Sequence, residues 1–400
     1  MKKFIAALFF CLPLFAFAQN AENNVGVKFS GFIKSDFFYD TRQTEAAREG
    51  HFLLYPKGED LVDGVDINDN PSLNFLSIQT RLRATITGPD AFGAKTSGLV
   101  EGAFFGNIES DINGFRLRHA YVKLNWEKTE LLFGQFWHPM FNTDCFPDVV
   151  SFNTGVPFIP FSRNPQIRFT ANFNSMKFVV AAITQRDFAS PGGSASLRNS
   201  AMPELHAQIQ LKSGSIYASA GVGYKTLVPD LKQPEEKIPS TSASACLKAD
   251  FTKMTIKMQG TVGSNLFDIM MLGGYAIDTI SKTNNEIEYK PTSVASFWFE
   301  AMSKGEKLQV GLLAGYSQNL GADVEDGNKL YVVNNTVRGA KIDNIYRISP
   351  RVVFISGKTK LCLETEYTAA AYGVNNDDLT VKDAEYFSNL RILFSVIYSF

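Results

Sequence analysis

Charged side chains recur in one phase of runs that are apolar in the other: Arg81 and Arg83, Glu364 and Glu366, Arg347 and Arg351, with Glu101, Lys123, Arg168 and Arg391 in similar settings. Strand side chains alternate between two faces, so this spacing puts the charges on a wetted face and the apolar residues on a dry one. The chemistry such an array supports is electrostatic. Fixed charges along an aqueous wall, with cations in excess, either raise the local concentration of anionic solutes or merely hydrate the wall and pair with one another. Covalent chemistry has less to stand on. The 4 histidines, His51, His119, His138 and His206, sit in neither a Gly-x-Ser-x-Gly context nor a zinc-ligand spacing. His119 and His206 share the charged phase, where a hydrated wall role suits them better than general-base catalysis. Cys145, Cys246 and Cys362 are odd in number and widely spaced, which fits neither a disulfide framework nor a metal site. Cys246 and Cys362 read as wall residues. No catalytic residue, cofactor or metal is expected.

The elements that must position these charges are strands. In the last run Leu390, Ile392, Phe394, Val396, Tyr398 and Phe400 share one face, with Asn389, Arg391, Ser395 and Ser399 on the other. An apolar, Tyr-containing face ending in an aromatic residue reads as the closing strand of an outer-membrane barrel. At the other end Lys2 and Lys3 precede an apolar stretch from Phe4 to Phe17, and Ala16-Phe17-Ala18 supplies a signal-peptidase site. Residues 1–18 are expected to be a cleaved signal peptide, because about 14 apolar residues fall short of the roughly 20 that cross a bilayer core. Residues 19–400 are then one barrel domain.

Composition permits this: 45% of residues are hydrophobic and the mean hydropathy is -0.07. Barrels hide their lipid face in alternation, so hydropathy alone does not reveal them. The net charge of -1, with lysines and arginines dispersed, excludes a basic nucleic-acid footprint.

Alternating runs follow one another from Val25 to Phe400 and predict an all-β, transmembrane, antiparallel up-and-down barrel of about 16 strands, wide enough to hold water. A polar segment, roughly 40–71, separates the first two runs. Short turns such as Asn174-Ser175 and Ser213-Gly214 follow even-numbered runs. Long loops, near 226–240, 267–290, 319–343 and 373–385, follow odd-numbered ones, which puts both termini at the turn side. The connection after strand five, Pro139 to Asn164, carries Phe141, Phe146, Phe152, Phe158 and Phe161. Its aromatics need burial, and the nearest dry surface is the inside of the barrel wall, so the loop is expected to fold inward.

A charge facing lipid at mid-depth costs about 2–4 kcal/mol, so Arg81, Arg83, Lys123, Arg168, Arg347, Arg351 and Arg391 should line the lumen. Arg116 and Arg118 share the phase of Ala120 and Val122; either they lie above the membrane or a bulge changes their face. Trp126, Trp137 and Trp298 read as interface or wall aromatics.

The chain resembles the trimeric porins, and among them the DcaP-like porins. The resemblance rests on Arg116-Leu-Arg-His-Ala-Tyr-Val122, Phe133-Gly-Gln-Phe-Trp137, the long loop after strand five, Arg163-Asn-Pro-Gln-Ile-Arg168 and Pro203-Glu-Leu-His-Ala207. It departs from the family at 136–139, where Phe-Trp-His-Pro stands in place of a more polar continuation. It implies a passive channel in the outer membrane for small hydrophilic, often carboxylate-bearing solutes. It also implies a homotrimer and a constriction at 139–164, where Asp144, Asp148 and Arg163 would face arginines across the pore. The competing classes are a structural or adhesive barrel and, more remotely, an outer-membrane hydrolase.

Overall fold

Apolar side chains alternate outward and polar ones inward along each strand, and hydrogen bonding between such strands closes them into a wall. The computed structural model describes residues 25–106, 111, 113–280, 287–325 and 327–400. The expected leader, residues 1–18, lies outside the described residues, as does part of the loop near 106–114. Seventeen hydrogen-bonded segments make one antiparallel sheet. Two of them, Ser72–Leu76 and Arg81–Thr87, lie end to end against the first strand, so the closed wall has 16 staves.

We number these β1 (Gly26–Asp40), β2 (Ser72–Leu76 and Arg81–Thr87), β3 (Lys95–Ala103), β4 (Arg116–Asn125), β5 (Thr129–Trp137), β6 (Arg163–Phe173), β7 (Met176–Ile183) and β8 (Glu204–Ser213). The second half is β9 (Ile216–Leu227), β10 (Ile238–Asp250), β11 (Met254–Ser264), β12 (Ser293–Ser303), β13 (Leu308–Gly321), β14 (Ile342–Ser356), β15 (Thr359–Asn375) and β16 (Val381–Ser399). β16 returns to β1 from Phe32↔Ser399 to Asp40↔Arg391. Gly31 and Phe400 exchange backbone bonds of 3.2 and 3.1 Å at the end of that seam. Among the described residues the sheet closes on itself, which removes the free edge where a second chain would add.

The phase is as the sequence predicts. On β16, Phe394 is 41% exposed and Arg391 1%. Phe29, Ile33, Val122, Ile167, Val222 and Phe297 likewise stand exposed on the outside. An apolar girdle of this extent far exceeds what a water-soluble monomer shows, and hydrocarbon is the medium that suits it. The two-residue turns need a left-handed first residue, which Asn174 (φ 52) and Gly214 (φ 56) supply.

Three details differ from the sequence reading or complete it. Glu101 opposes His119 while Gly102 opposes Leu117, which leaves Arg118 as a bulge on β4. The extra residue turns Arg118 inward beside His119, and both are buried. β15 and β16 run on past the membrane to Asn375 and Val381, so the connection expected at 373–385 is a short turn at the tip of a hairpin. Within the polar segment 40–71 lies a second hairpin, Thr44–Ala47 with Phe52–Pro56. Its Phe52, Leu53, Leu54 and Tyr55 are buried, a four-residue apolar run that the surrounding charges mask in the sequence.

Replacing Val222 by Arg on the outer face should lower stability by about 2–4 kcal/mol, read from urea unfolding in lipid vesicles. At the seam, Asp40 accepts bonds from Arg391 Nε (2.9 Å), Arg391 Nη2 (2.7 Å) and Asn389 Nδ2 (2.7 Å). Asp40→Ala leaves that guanidinium buried and unpaired, and about 3–5 kcal/mol should be lost, seen as a lower heat-denaturation midpoint on semi-native gels.

Candidate functional site

After β5 the chain turns inward at His138, whose N–H bonds Ser162 O (2.9 Å). Successive turns at 138–141, 142–145, 151–154 and 155–158 satisfy part of the loop's backbone. The wall satisfies much of the rest. Gln208 of β8 bonds Pro139 O (3.2 Å), and Gln259 of β11 bonds Met140 O (3.0 Å). Lys257 of β11 bonds Phe146 O (2.9 Å), Lys34 of β1 bonds Val150 O (2.6 Å), and Arg347 of β14 bonds Val156 O (2.9 Å). Carboxylates take the N–H groups: Glu300 of β12 accepts from Asp148 (2.7 Å), and Glu364 of β15 from Val150 (2.7 Å) and Ser151 (3.1 Å). The loop therefore lies across the barrel's inner face.

The hairpin Thr44–Pro56 is a second insertion. Arg347 Nη2 donates to Leu53 O (3.1 Å) and Leu54 O (3.2 Å), and Tyr372 Oη to Pro56 O (2.7 Å). The two insertions meet through aromatic rings. Phe52 lies 4.9 Å from Phe161 and 5.3 Å from Phe152, and Phe105 lies 4.9 Å from Phe152. Trp137, expected as a belt or wall aromatic, stacks on Phe141 at 4.1 Å inside the barrel, and Trp298 is fully buried there.

This aromatic layer separates two cavities. Towards the turn side lies one of about 760 Å³, whose charged lining is Lys34, Arg81, Arg83, Arg118, Lys304, Lys360 and Asp148, with Phe32, Trp137, Phe141 and Phe146 among its apolar walls. Towards the long loops lies one of about 1000 Å³, lined by Glu45, Tyr55, Lys329, Arg338, Lys341 and Tyr372 among others. The two share no lining residue.

Behind the turn-side cavity one carboxylate serves three arginines. Glu101 pairs with Arg83 (2.5 Å), Arg118 (2.8 Å) and Arg81 (3.4 Å), leaving that wall with surplus positive charge. A similar arrangement stands at the loop side, where Asp187 pairs with Arg163 (2.8 Å), Arg116 (2.9 Å) and Arg48 (3.6 Å). Burial pushes the Asp187 carboxyl up, and the guanidiniums of Arg163, Arg116 and Arg48 outweigh it and hold it below the usual carboxylate range.

The residues singled out in the sequence thus fall into groups. Arg81, Arg83 and Asp148 come together around the turn-side cavity. Arg347, Arg351 and Arg391 are almost fully buried and paired with Glu366 (3.3 Å), Glu300 (2.6 Å) and Asp40 (2.7 Å). Lys123 pairs with Glu130 near a turn (3.0 Å), and Arg168 bonds Gln166 (2.9 Å) and Trp137 O (2.5 Å). Arg163 opens β6 and faces Asp187. Asp144 is exposed and lines neither cavity. Arg118 and Lys34 join the cavity wall without having been singled out for it; the phase conflict at Arg116 and Arg118 was the signal for the first.

No family model matches this chain, and no curated relative matches it either. Solved structures do. The outer membrane channel DcaP of Acinetobacter baumannii aligns with a TM-score of 0.68 at 18% identity, over 94% of this chain and 97% of that one. An anion-selective porin from Comamonas acidovorans aligns at 0.58 and 11% identity, over 94% and 100%. OmpT of Vibrio cholerae, in a trimer form, aligns at 0.55 and 11%, over 94% and 99%. The closed wall and the apolar girdle make a membrane-spanning β-barrel, and these neighbours show that it has the fold of the outer-membrane porins.

Proposed function

We propose that this barrel is a passive outer-membrane channel that prefers small anionic solutes, carboxylates among them, and that it works as a homotrimer. The observation that carries the reading is the charge of the turn-side cavity: Lys34, Arg81, Arg83, Arg118, Lys304 and Lys360 against the single carboxylate of Asp148. A concave, low-dielectric site of one sign concentrates counter-ions and speeds their entry. The loop 139–164 and the hairpin Thr44–Pro56 narrow the passage beyond that cavity, so selection combines charge with size. The anion-selective porin and the trimer form among the structural neighbours point the same way. The gradient of the solute supplies the driving force, and no residue changes its covalent state.

A second reading has one observation in its favour. The aromatic layer of Phe52, Phe152 and Phe161 lies between two cavities with no common lining residue, as it would in a plugged barrel of structural or adhesive role. Planar-bilayer recording decides between the two. Stepwise ohmic conductance in threes, with a reversal potential on the anion side in a salt gradient, is expected for the channel. A correctly folded barrel without conductance would sink it in favour of the plugged one.

The double variant Arg81→Gln with Arg83→Gln removes two of the cavity's cations, and the anion-to-cation permeability ratio should fall several-fold, read from the same reversal potential. Phe52→Ala should raise the single-channel conductance by thinning the aromatic layer, at about 3–5 kcal/mol of stability for the lost packing.

A further inference from the structure

Cys145 belongs to the inserted loop and Cys246 to β10, and the fold brings the two thiols together. Cys145 Sγ lies 3.4 Å from the carbonyl oxygen of Leu247, the residue that follows Cys246, and 3.7 Å from Met258 O. Cys246 Sγ stands 3.1 Å from Ser219 Oγ and 3.6 Å from Asn142 Nδ2. Asn142 in turn donates to Tyr217 Oη (2.7 Å) and Ser219 Oγ (2.8 Å). The loop is thus fixed against β9 and β10 immediately before Cys145. Both cysteines are buried in one apolar cluster, whereas Cys362 on β15 belongs to another and lines the turn-side cavity.

We propose that Cys145 and Cys246 form a disulfide clasp that fastens the inserted loop to β10. A chain bound for the outer membrane crosses an oxidising compartment, where such bonds form and persist. The oxidant is a protein or small-molecule disulfide. One cysteine thiolate attacks it, a mixed disulfide forms, and one oxidant sulfur leaves as a thiol. The second cysteine thiolate then displaces the remaining oxidant sulfur. The two cysteines give up two electrons and two protons, and the oxidant's disulfide ends as two thiols. The exchange precedes seating of the loop, because the seated pair is closed to solvent; the same burial afterwards shields the bond from reductants. The clasp fixes where the loop sits and is independent of which solutes pass.

The test uses full-length protein purified from outer membranes without reductant, acid-quenched, denatured and alkylated with N-ethylmaleimide before peptide mapping. The expected result is the Cys145 peptide joined to the Cys246 peptide, with Cys362 alkylated. Reduction should release the pair and lower the heat-denaturation midpoint. Alkylation of both Cys145 and Cys246 in the unreduced protein overturns the proposal, as does a bond from either one to Cys362. In Cys145→Ser protein, Cys246 should become alkylatable; if that variant does not fold, the map of the unaltered protein still decides.

Discussion

The interior is organised around one guanidinium. Arg347, fully buried on β14, bonds Val156 O in the loop after β5, Leu53 O and Leu54 O in the hairpin after β1, and Thr368 Oγ1 on β15. Glu366, 3.3 Å away, neutralises it and also accepts from Asn153 Nδ2 (2.6 Å). A buried cation without partners costs several kcal/mol, and so does a buried carbonyl without a donor. Joining three carbonyls of irregular chain to one planar fork removes both costs together. Both inserted segments depend on that side chain for their position. The aromatic contacts between Phe52, Phe152 and Phe161 follow from it.

The wall's remaining charges obey the same logic. An inserted loop has too few neighbours of its own to satisfy its backbone, and side chains of the wall take over that role. Glu300 and Glu364 accept N–H groups, while Lys34 and Lys257 donate to carbonyls. Charges that alternation places inward are thus divided between two tasks. Those near the turn side, Arg81 and Arg83, keep part of their surface open and set the sign of that space, with Arg118 buried in the wall beside them. Those at mid-depth, Arg347, Glu300 and Glu364, are covered and hold the loops.

That division explains what was legible in the sequence. Strand phase obeys a local rule of period two, so the outward Phe394 and inward Arg391 could be assigned residue by residue, and with them the closure of the barrel. The need to bury Phe141, Phe152 and Phe161 likewise pointed the loop inward. Which inward charge meets water and which meets a carbonyl depends on where irregular chain comes to rest, and no local period encodes that. Arg347 and Arg83 look alike in sequence and differ completely in surroundings. The hairpin Thr44–Pro56 went unseen for the related reason that four apolar residues among charges carry no periodic signal. Arg118 shows an intermediate case, since its conflict of phase was visible and only the bulge resolves it.

Three anchors of the inserted loop lie far downstream of it. Asp148 waits for Glu300, 152 residues later; Val156 for Arg347, 191 later; Val150 for Glu364, 214 later. Contacts so distant in sequence form late in folding, because the entropy of closing the intervening chain is lost before they can compensate it. During synthesis and transport, the Phe-rich segment therefore lacks these three anchors until the last third of the chain is in place. Assembly must proceed in an order that closes the wall before, or while, the interior fills, and any factor that escorts the incomplete chain has these phenylalanines to hold.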